Sequence, residues 1–337
     1  MHWTIFATLV VLWGTLGAAG ADDKAIADFY AKKTVTIAVG FSPGGNYDLY
    51  ARLIARHIGR HIPGSPAVVV QNMPGAGSRR LANVLTKIGP HDGTMIGAPN
   101  QGIPTDQAIG AEGVQFDARA FHWIGSPTDE VNVLWAWHTY PVTSIEFAKQ
   151  REIVVGATGP GSPTYFYPRI MNTLLGTRFK VVSGYPGSNE LDVAIERGEV
   201  GGRIVGWSSL KITRDWVATG KSIVLAQIGL RKAPELATVP LLQDLAASEK
   251  DRQTFEFLSL VPAMGRPYFM PPGTPPERVA AIRKAFQATM RDGAFVDDAR
   301  RAKLEINPLS GEELGRMVAK TFAAPPDVLA TAKASME

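Results

Sequence analysis

The run 34–39 (TVTIAV) leads directly into the glycine-rich stretch 40–45 (GFSPGG) and then into a helix-periodic segment, which commits this part of the chain to a strand-loop-helix unit. The β-branched run, bounded by Gly40 and Pro43, reads as a buried strand. Between Tyr47 and His61 the apolar residues Leu49, Tyr50, Leu53, Ile54 and Ile58 fall at helical spacing, and Pro63-Gly64 ends the element. Ala67 to Val70 is a second apolar strand, so the unit is βαβ with parallel strands. The pattern recurs in 152–155 (EIVV), the loop 156–163 (GATGPGSP), a helix from Tyr165 to Leu175 and a strand from Phe179 to Val182. Two such units in 337 residues predict an α/β fold of two related lobes, each long enough to bury a core.

The C-terminal part reads as helical. Thr274-Pro275-Pro276-Glu277 predicts a helix with Thr274 at the N-cap, Pro275 at the first helical position and Glu277 at N3, followed by the apolar stripe Val279, Ile282, Phe286 and Met290. Ser310 with Glu313 predicts a capping box whose helix turns Leu314, Met317 and Val318 inward. At the other end no Asp, Glu, Lys or Arg occurs from His2 to Ala21. Apolar residues Ile5 to Leu16 precede small ones, and Ala19 and Ala21 offer an A-x-A cleavage site before Asp22. Residues 1–21 therefore read as a cleaved secretory signal peptide, although no basic residue precedes Ile5; the competing reading is an uncleaved anchor. The mature chain is expected to be soluble and exported.

Charge and cysteine usage remove several function classes. Lys and Arg (35) barely exceed Asp and Glu (31) and are scattered, which argues against a nucleic-acid partner. The absence of cysteine excludes disulfides, thiolate zinc sites, iron–sulfur clusters and a Cys nucleophile.

The loops carry the chemistry. Gly40-Phe41-Ser42-Pro43-Gly44 is a literal G-x-S-x-G, but the residue after Ser42 is a proline, which has no N–H for an oxyanion hole, and the last histidine is His138. The same loop lacks G-x-G-x-x-G, and Gln71-Asn72 stand where an acidic residue would hold a ribose. What remains is a helix N-terminus at which Gly44, Gly45 and Asn46 offer backbone N–H groups to an anion, against the alternative of a tight βα turn. The second loop, with Gly159, Gly161, Ser162 and Thr164, offers similar donors from the other lobe. Two such loops facing across a cleft would hold both ends of a dicarboxylate. His57 and His61 have i, i+4 metal spacing, but no acid lies between them and a solvated helix face is the favoured reading. Arg203 and Trp207, in a run 201–209 read as a strand, are candidates for a bidentate carboxylate partner and an apolar wall; a surface arginine and a core tryptophan are the alternative.

The runs 35–52, 68–77 (VVVQNMPGAG), 90–97 (PHDGTMIG), 156–163, 183–188 (SGYPGS) and 271–275 (PPGTP) resemble, in order and spacing, the substrate-binding receptors of tripartite tricarboxylate transporters, the Bug family. The resemblance spans Lys33 to Val328. It implies a two-lobe periplasmic binding protein of type II-like form, each lobe a mixed sheet flanked by helices, with the ligand cleft at the hinge. It implies lobe 1 over 22–128 and 266–337 and lobe 2 over 129–265. It further implies a monomeric, non-enzymatic receptor without cofactor or metal, which captures an organic di- or tricarboxylate and delivers it to membrane permease subunits. The ligand-binding set expected on this basis is Phe41, Ser42, Pro43, Gly44, Gly45, Asn46, Tyr47 and Asp48 in the first loop, and Gly159, Gly161, Ser162, Thr164 and Tyr165 in the second. Asn100, Gln101, Arg203 and Trp207 complete it.

Departures from the family pattern bear on the ligand. Tyr47 stands where a small residue or Thr is frequent, Tyr165 where His is frequent, and Gly202-Arg203-Ile204 where an aspartate is usual. Arg203 favours a longer or more anionic ligand, whereas Tyr47 and Trp207 favour an aromatic acid held by stacking; the sequence leaves both open. Arg203→Ala and Gly161→Val are expected to weaken carboxylate binding and leave the fold intact. Other readings are a receptor feeding a sensory membrane partner and a periplasmic enzyme using Ser42 or Asp48.

Overall fold

The computed structural model describes residues 24–158, 162–185, 188–212 and 215–336. The expected signal peptide and the loop residues Gly159 and Gly161 lie outside the described residues.

The strands are β1 (Thr34–Val39), β2 (Ala67–Asn72), β3 (Met95–Ala98), β4 (His122–Ser126), β5 (Asn132–Trp137), β6 (Ile153–Ala157), β7 (Phe179–Ser183), β8 (Gly202–Gly206), β9 (Ser222–Ile228), β10 (Tyr268–Met270) and β11 (Leu309–Ser310). They form two mixed sheets, in the orders β11-β4-β10-β3-β1-β2 and β7-β6-β8-β5-β9. Each sheet contains one of the expected βαβ units: β1 and β2 run parallel in register from Thr34 opposite Ala67, and β6 and β7 from Ile153 opposite Phe179. Helices cover both faces of both sheets, so the strands bury residues of both parities. In β1, Val35, Ile37 and Val39 share a core with Tyr50, Leu53 and Ile54, while Ala38 joins Leu81 and Leu85 on the opposite face. In β5, Leu134 and Ala136 meet Phe166 and Leu258, while Val133 and Trp135 meet Trp207 and Trp216. Burying each large aliphatic side chain contributes about 1.5–3 kcal/mol.

The crossings between sheets are short. The chain leaves β4 at Ser126 and enters β5 at Asn132, and it returns between the helix Glu249–Ala263 and β10. The two connections touch. Gly265 has φ +63°, and a Cβ there would lie 1.7 Å from the Thr128 carbonyl oxygen, so this crossing accepts only glycine. Ser126 joins the strands by donating to Thr128 O (2.6 Å) and accepting from the Arg266 N–H (2.8 Å).

Several local expectations are corrected. The helix expected at Tyr47–His61 runs from Asn46 to Ile58 and closes with a 3₁₀ turn, Gly59–His61; Leu49 faces outward, 42% exposed. Thr274 is not an N-cap: its hydroxyl donates to Pro271 O, and the helix Pro276–Arg291 starts one residue later with Pro275 before it. Its stripe Val279, Ile282, Phe286 and Met290 is buried as expected. The Ser310–Glu313 capping box forms in both directions, and Leu314 and Val318 are buried. The run 201–209 is strand only to Gly206; the helix Trp207–Ile212 follows. The last helix, Pro326–Met336, departs from the expected lobe assignment, because Val328 and Ala332 enter the core of the second sheet beside the helices Pro163–Leu175 and Glu249–Ala263.

Candidate functional site

A cleft of about 950 Å³ is lined by loops and helix starts beyond the first sheet, by strands β5 and β8 of the second sheet, and by residues of both crossings. Two helices of 13 residues each, Asn46–Ile58 and Pro163–Leu175, begin at it. Each places the positive end of its dipole there, although in the second helix Pro163 has no N–H and the Tyr165 and Phe166 N–H groups bond Ser162 O (2.9 and 3.0 Å). Neither N-cap residue, Gly45 or Ser162, makes a side-chain cap.

The first loop is held from behind. Asp48, 1% exposed, accepts from the Gly44 N–H (2.9 Å), Arg52 Nε (2.9 Å) and Asn72 Nδ2 (2.9 Å), and Asn72 Nδ2 also reaches Phe41 O (3.0 Å). Burial acts to raise the Asp48 carboxyl, but the hydrogen bonds from Arg52, the Gly44 N–H and Asn72 outweigh it and hold the group below its ordinary value. Gly44 has φ +87°, a conformation glycine adopts without strain. The expected set divides here. Phe41, Pro43, Gly44, Gly45, Asn46 and Tyr47 line the cleft, whereas Ser42 and Asp48 do not. The Gly44 N–H, expected to face a ligand, is already bonded to Asp48.

Asn46 Nδ2 reaches across the cleft to Ser209 Oγ (2.6 Å), in the helix Trp207–Ile212 beyond the second sheet. Tyr47 stacks on Phe41 (centroids 4.3 Å apart), donates to Gln101 Oε1 (2.8 Å) and accepts from the Gln101 N–H (3.2 Å). Gln101 and Asn100 both line the cleft, and Asn100 Oδ1 closes its own turn on the Gly102 N–H (2.7 Å).

In the second loop Ser162 and Thr164 line the cleft and their hydroxyls are 2.7 Å apart; Thr164 Oγ1 also accepts from the Thr158 N–H (3.1 Å). Tyr165 turns away and accepts from Arg169 Nη1 (2.7 Å). Trp207 is not a cleft wall: it is 6% exposed and belongs to the core around Trp135 and Trp216. Arg203 does line the cleft, but its Nε is paired with Asp192 Oδ1 at 2.8 Å, with both side chains almost fully buried.

Further charged groups of the cleft lining escaped the sequence reading. Arg266, from the return crossing, lies over the rings of Tyr47 (5.2 Å) and Tyr50 (5.3 Å), and its Nη2 is 3.5 Å from Glu130 Oε2 on the outgoing crossing. Glu130 also accepts from the Val131 N–H, the Ser208 N–H and the Ser208 hydroxyl. Burial pushes its carboxyl up, against the opposing pull of Arg266 and Ser208. Arg79 lies 3.7 Å from Asp106, whose carboxyl burial pushes up to about 6, with Arg79 opposing. No local pattern marks these residues, since each acquires its role from a partner on another element. Arg79 directly follows the motif 68–77 and was within reach of a longer reading of it.

His57 and His61 are not a solvated face. His57 is buried with Nε2 2.7 Å from Asp298, and His61 Nε2 is 2.8 Å from Asp292, so the pair docks the helix Asn46–Ile58 onto Gly293–Arg301.

No family model matches the chain. A curated relative, the UPF0065 protein in the gbd 5′ region of Cupriavidus necator, is 22% identical over 95% of this chain and 94% of its own. Among solved structures, Rpa4515 of R. palustris with adipate superposes with a TM-score of 0.66 at 23% identity, covering 89% of this chain and 97% of that one. The periplasmic binding protein BugD gives 0.66 at 20% identity, over 90% and 98%. Among the described residues no helix is long and apolar enough to cross a membrane. With its two mixed sheets flanked by helices, the chain has the two-lobed fold of the BugD-type solute-binding proteins.

Proposed function

We propose that this chain is a Bug-family receptor: an exported, periplasmic solute-binding protein that captures an organic carboxylate between its lobes and delivers it to the permease subunits of a tripartite tricarboxylate transporter. Residues 1–21 would serve as its signal peptide, 22–128 and 266–325 as lobe 1, and 129–265 with the last helix, Pro326–Met336, as lobe 2. The observation that carries the reading is the convergence of two 13-residue helix N-termini, one per sheet, on one cleft. The positive ends of two helix dipoles at opposite ends of a cavity suit a ligand with anionic oxygens at both ends. The adipate in the R. palustris relative is such a ligand. Closure about the two crossings would bring Gly159, Gly161 and Ser162 against the same ligand that Gly45 and Asn46 hold.

The function is binding without turnover. Ser42 lies outside the cleft lining and Asp48 is fully engaged in shaping the loop, so neither is placed as a reactive group.

A thermal-shift screen of the chain from Asp22 tests the proposal, using mono-, di- and tricarboxylates including aromatic acids, with sugars, amino acids and phosphate as controls. A ligand at 100 times its Kd stabilises by about 2.7 kcal/mol. A shift confined to one class of carboxylates is the expected result. Silence from every carboxylate with a response to a sugar or an amino acid would overturn the reading.

A further inference from the structure

Resting on the carboxylate-receptor reading, we infer that Arg266 is the cationic anchor for a ligand carboxylate, with Glu130 its internal counter-ion in the empty cleft. Among the described residues three arginines line the cleft, and they differ in how completely they are partnered. Arg203 is committed: its Nε meets Asp192 at 2.8 Å, and its Nη1 donates to Ile204 O. Arg79 is also weakly paired, 3.7 Å from Asp106 with its Nε lacking an acceptor, but its side chain is 28% exposed. Arg266 alone of the three combines near-complete burial, 6% exposed, with weak pairing. Its Nε is buried without an acceptor, and its nearest carboxylate oxygen is 3.5 Å away, longer than a well-formed charge-assisted hydrogen bond. A guanidinium does not shed its proton, so a buried, underpartnered one remains a strong anion site.

The surroundings suit an exchange of partners. Glu130 is held by Val131 and Ser208, which would keep it in place when Arg266 turns to an incoming carboxylate. Tyr47 and Tyr50 lie under the guanidinium and fix its plane. The site also couples to closure, because Arg266 and Glu130 sit on the two crossings between the sheets. A ligand that draws Arg266 toward it acts on the hinge directly.

The experiment is isothermal titration of the chain from Asp22 with the carboxylate found by the screen and with its mono- and diamides. Wild type is compared with Arg266→Gln, Arg266→Lys and Glu130→Gln, each checked for an unchanged far-UV spectrum. Arg266→Gln is expected to lower carboxylate affinity by about 10- to 100-fold, and to leave the weaker affinity for the diamide nearly unchanged. Arg266→Lys should recover part of the loss, because charge is kept and the planar fork is not. Glu130→Gln should tighten carboxylate binding by removing the competing anion. Equal carboxylate affinity in wild type and Arg266→Gln overturns the assignment while the receptor reading stands. So does a loss in Glu130→Gln as large as that in Arg266→Gln, which would mark the pair as a purely structural link. If the Arg266 variants unfold, Glu130→Gln decides alone, tightening supporting the assignment and unchanged or weaker binding refuting it. Failure of wild type to bind any carboxylate removes both the assignment and the receptor reading.

Discussion

Replacing Asp48 by asparagine tests how the first loop is built. The carboxylate accepts from the Gly44 N–H, Arg52 Nε and Asn72 Nδ2, each at 2.9 Å, and it is almost fully buried. Asparagine keeps the shape but offers one acceptor oxygen where two were used. If that oxygen faces Gly44 and Arg52, the new amide N–H₂ points at Asn72 Nδ2; in the opposite flip it points at the Gly44 N–H. Either way a buried donor is left without an acceptor, at a cost of about 1–3 kcal/mol. The bond to Arg52 adds little, about 0–1 kcal/mol, because that side chain is 46% exposed. A total near 2 kcal/mol lowers Tm by about 4–8 °C. The loop that presents Gly45 and Asn46 loosens with it, so carboxylate affinity falls by about tenfold, equivalent to 1.4 kcal/mol of lost preorganisation. Calorimetric melting and titration of Asp48→Asn with the ligand are the assays. An unchanged Tm together with unchanged affinity would refute the view that Asp48 shapes the loop. The pH dependence follows from the same contacts. The folded carboxyl sits below its ordinary 3.8, so its stabilisation is present above that value and is lost as pH falls through the folded value. The variant should lack this part of the acid sensitivity.

Arg203→Ala is expected to destabilise the fold by about 3–5 kcal/mol, because it strands the buried Asp192 carboxylate. This replaces the sequence-based expectation of an intact fold; urea unfolding measures it, and Arg203→Met with Asp192→Leu should recover most of the loss. His61 and Arg60 hold the Asp292 carboxyl down to about 2, so its contribution to docking the helix Asn46–Ile58 should persist at pH 4 and fade as pH falls toward 2. Acid unfolding midpoints that coincide in wild type and Asp292→Asn would contradict that.

What the sequence determined by itself was local and periodic. β1 needed only its β-branched run ended by Gly40 and Pro43, the Ser310–Glu313 box only three residues of spacing, and the stripe Val279 to Met290 only the 3.6-residue repeat. The first glycine loop was legible because a strand running into glycines and then a helix places a helix N-terminus after the strand whatever surrounds it. The tertiary structure decided which side chains the loops face. Arg266 meets Glu130, Arg203 meets Asp192 and Asn46 meets Ser209 only because remote segments fold together, and a buried charge takes its behaviour from its partner rather than its neighbours in sequence. Trp207 shows the same limit: it is buried because Trp135 and Trp216, on remote segments, join it in one core. The hinge belongs to the same class, since Gly265 is obligatory only because the Thr128 carbonyl from the other crossing passes beside it.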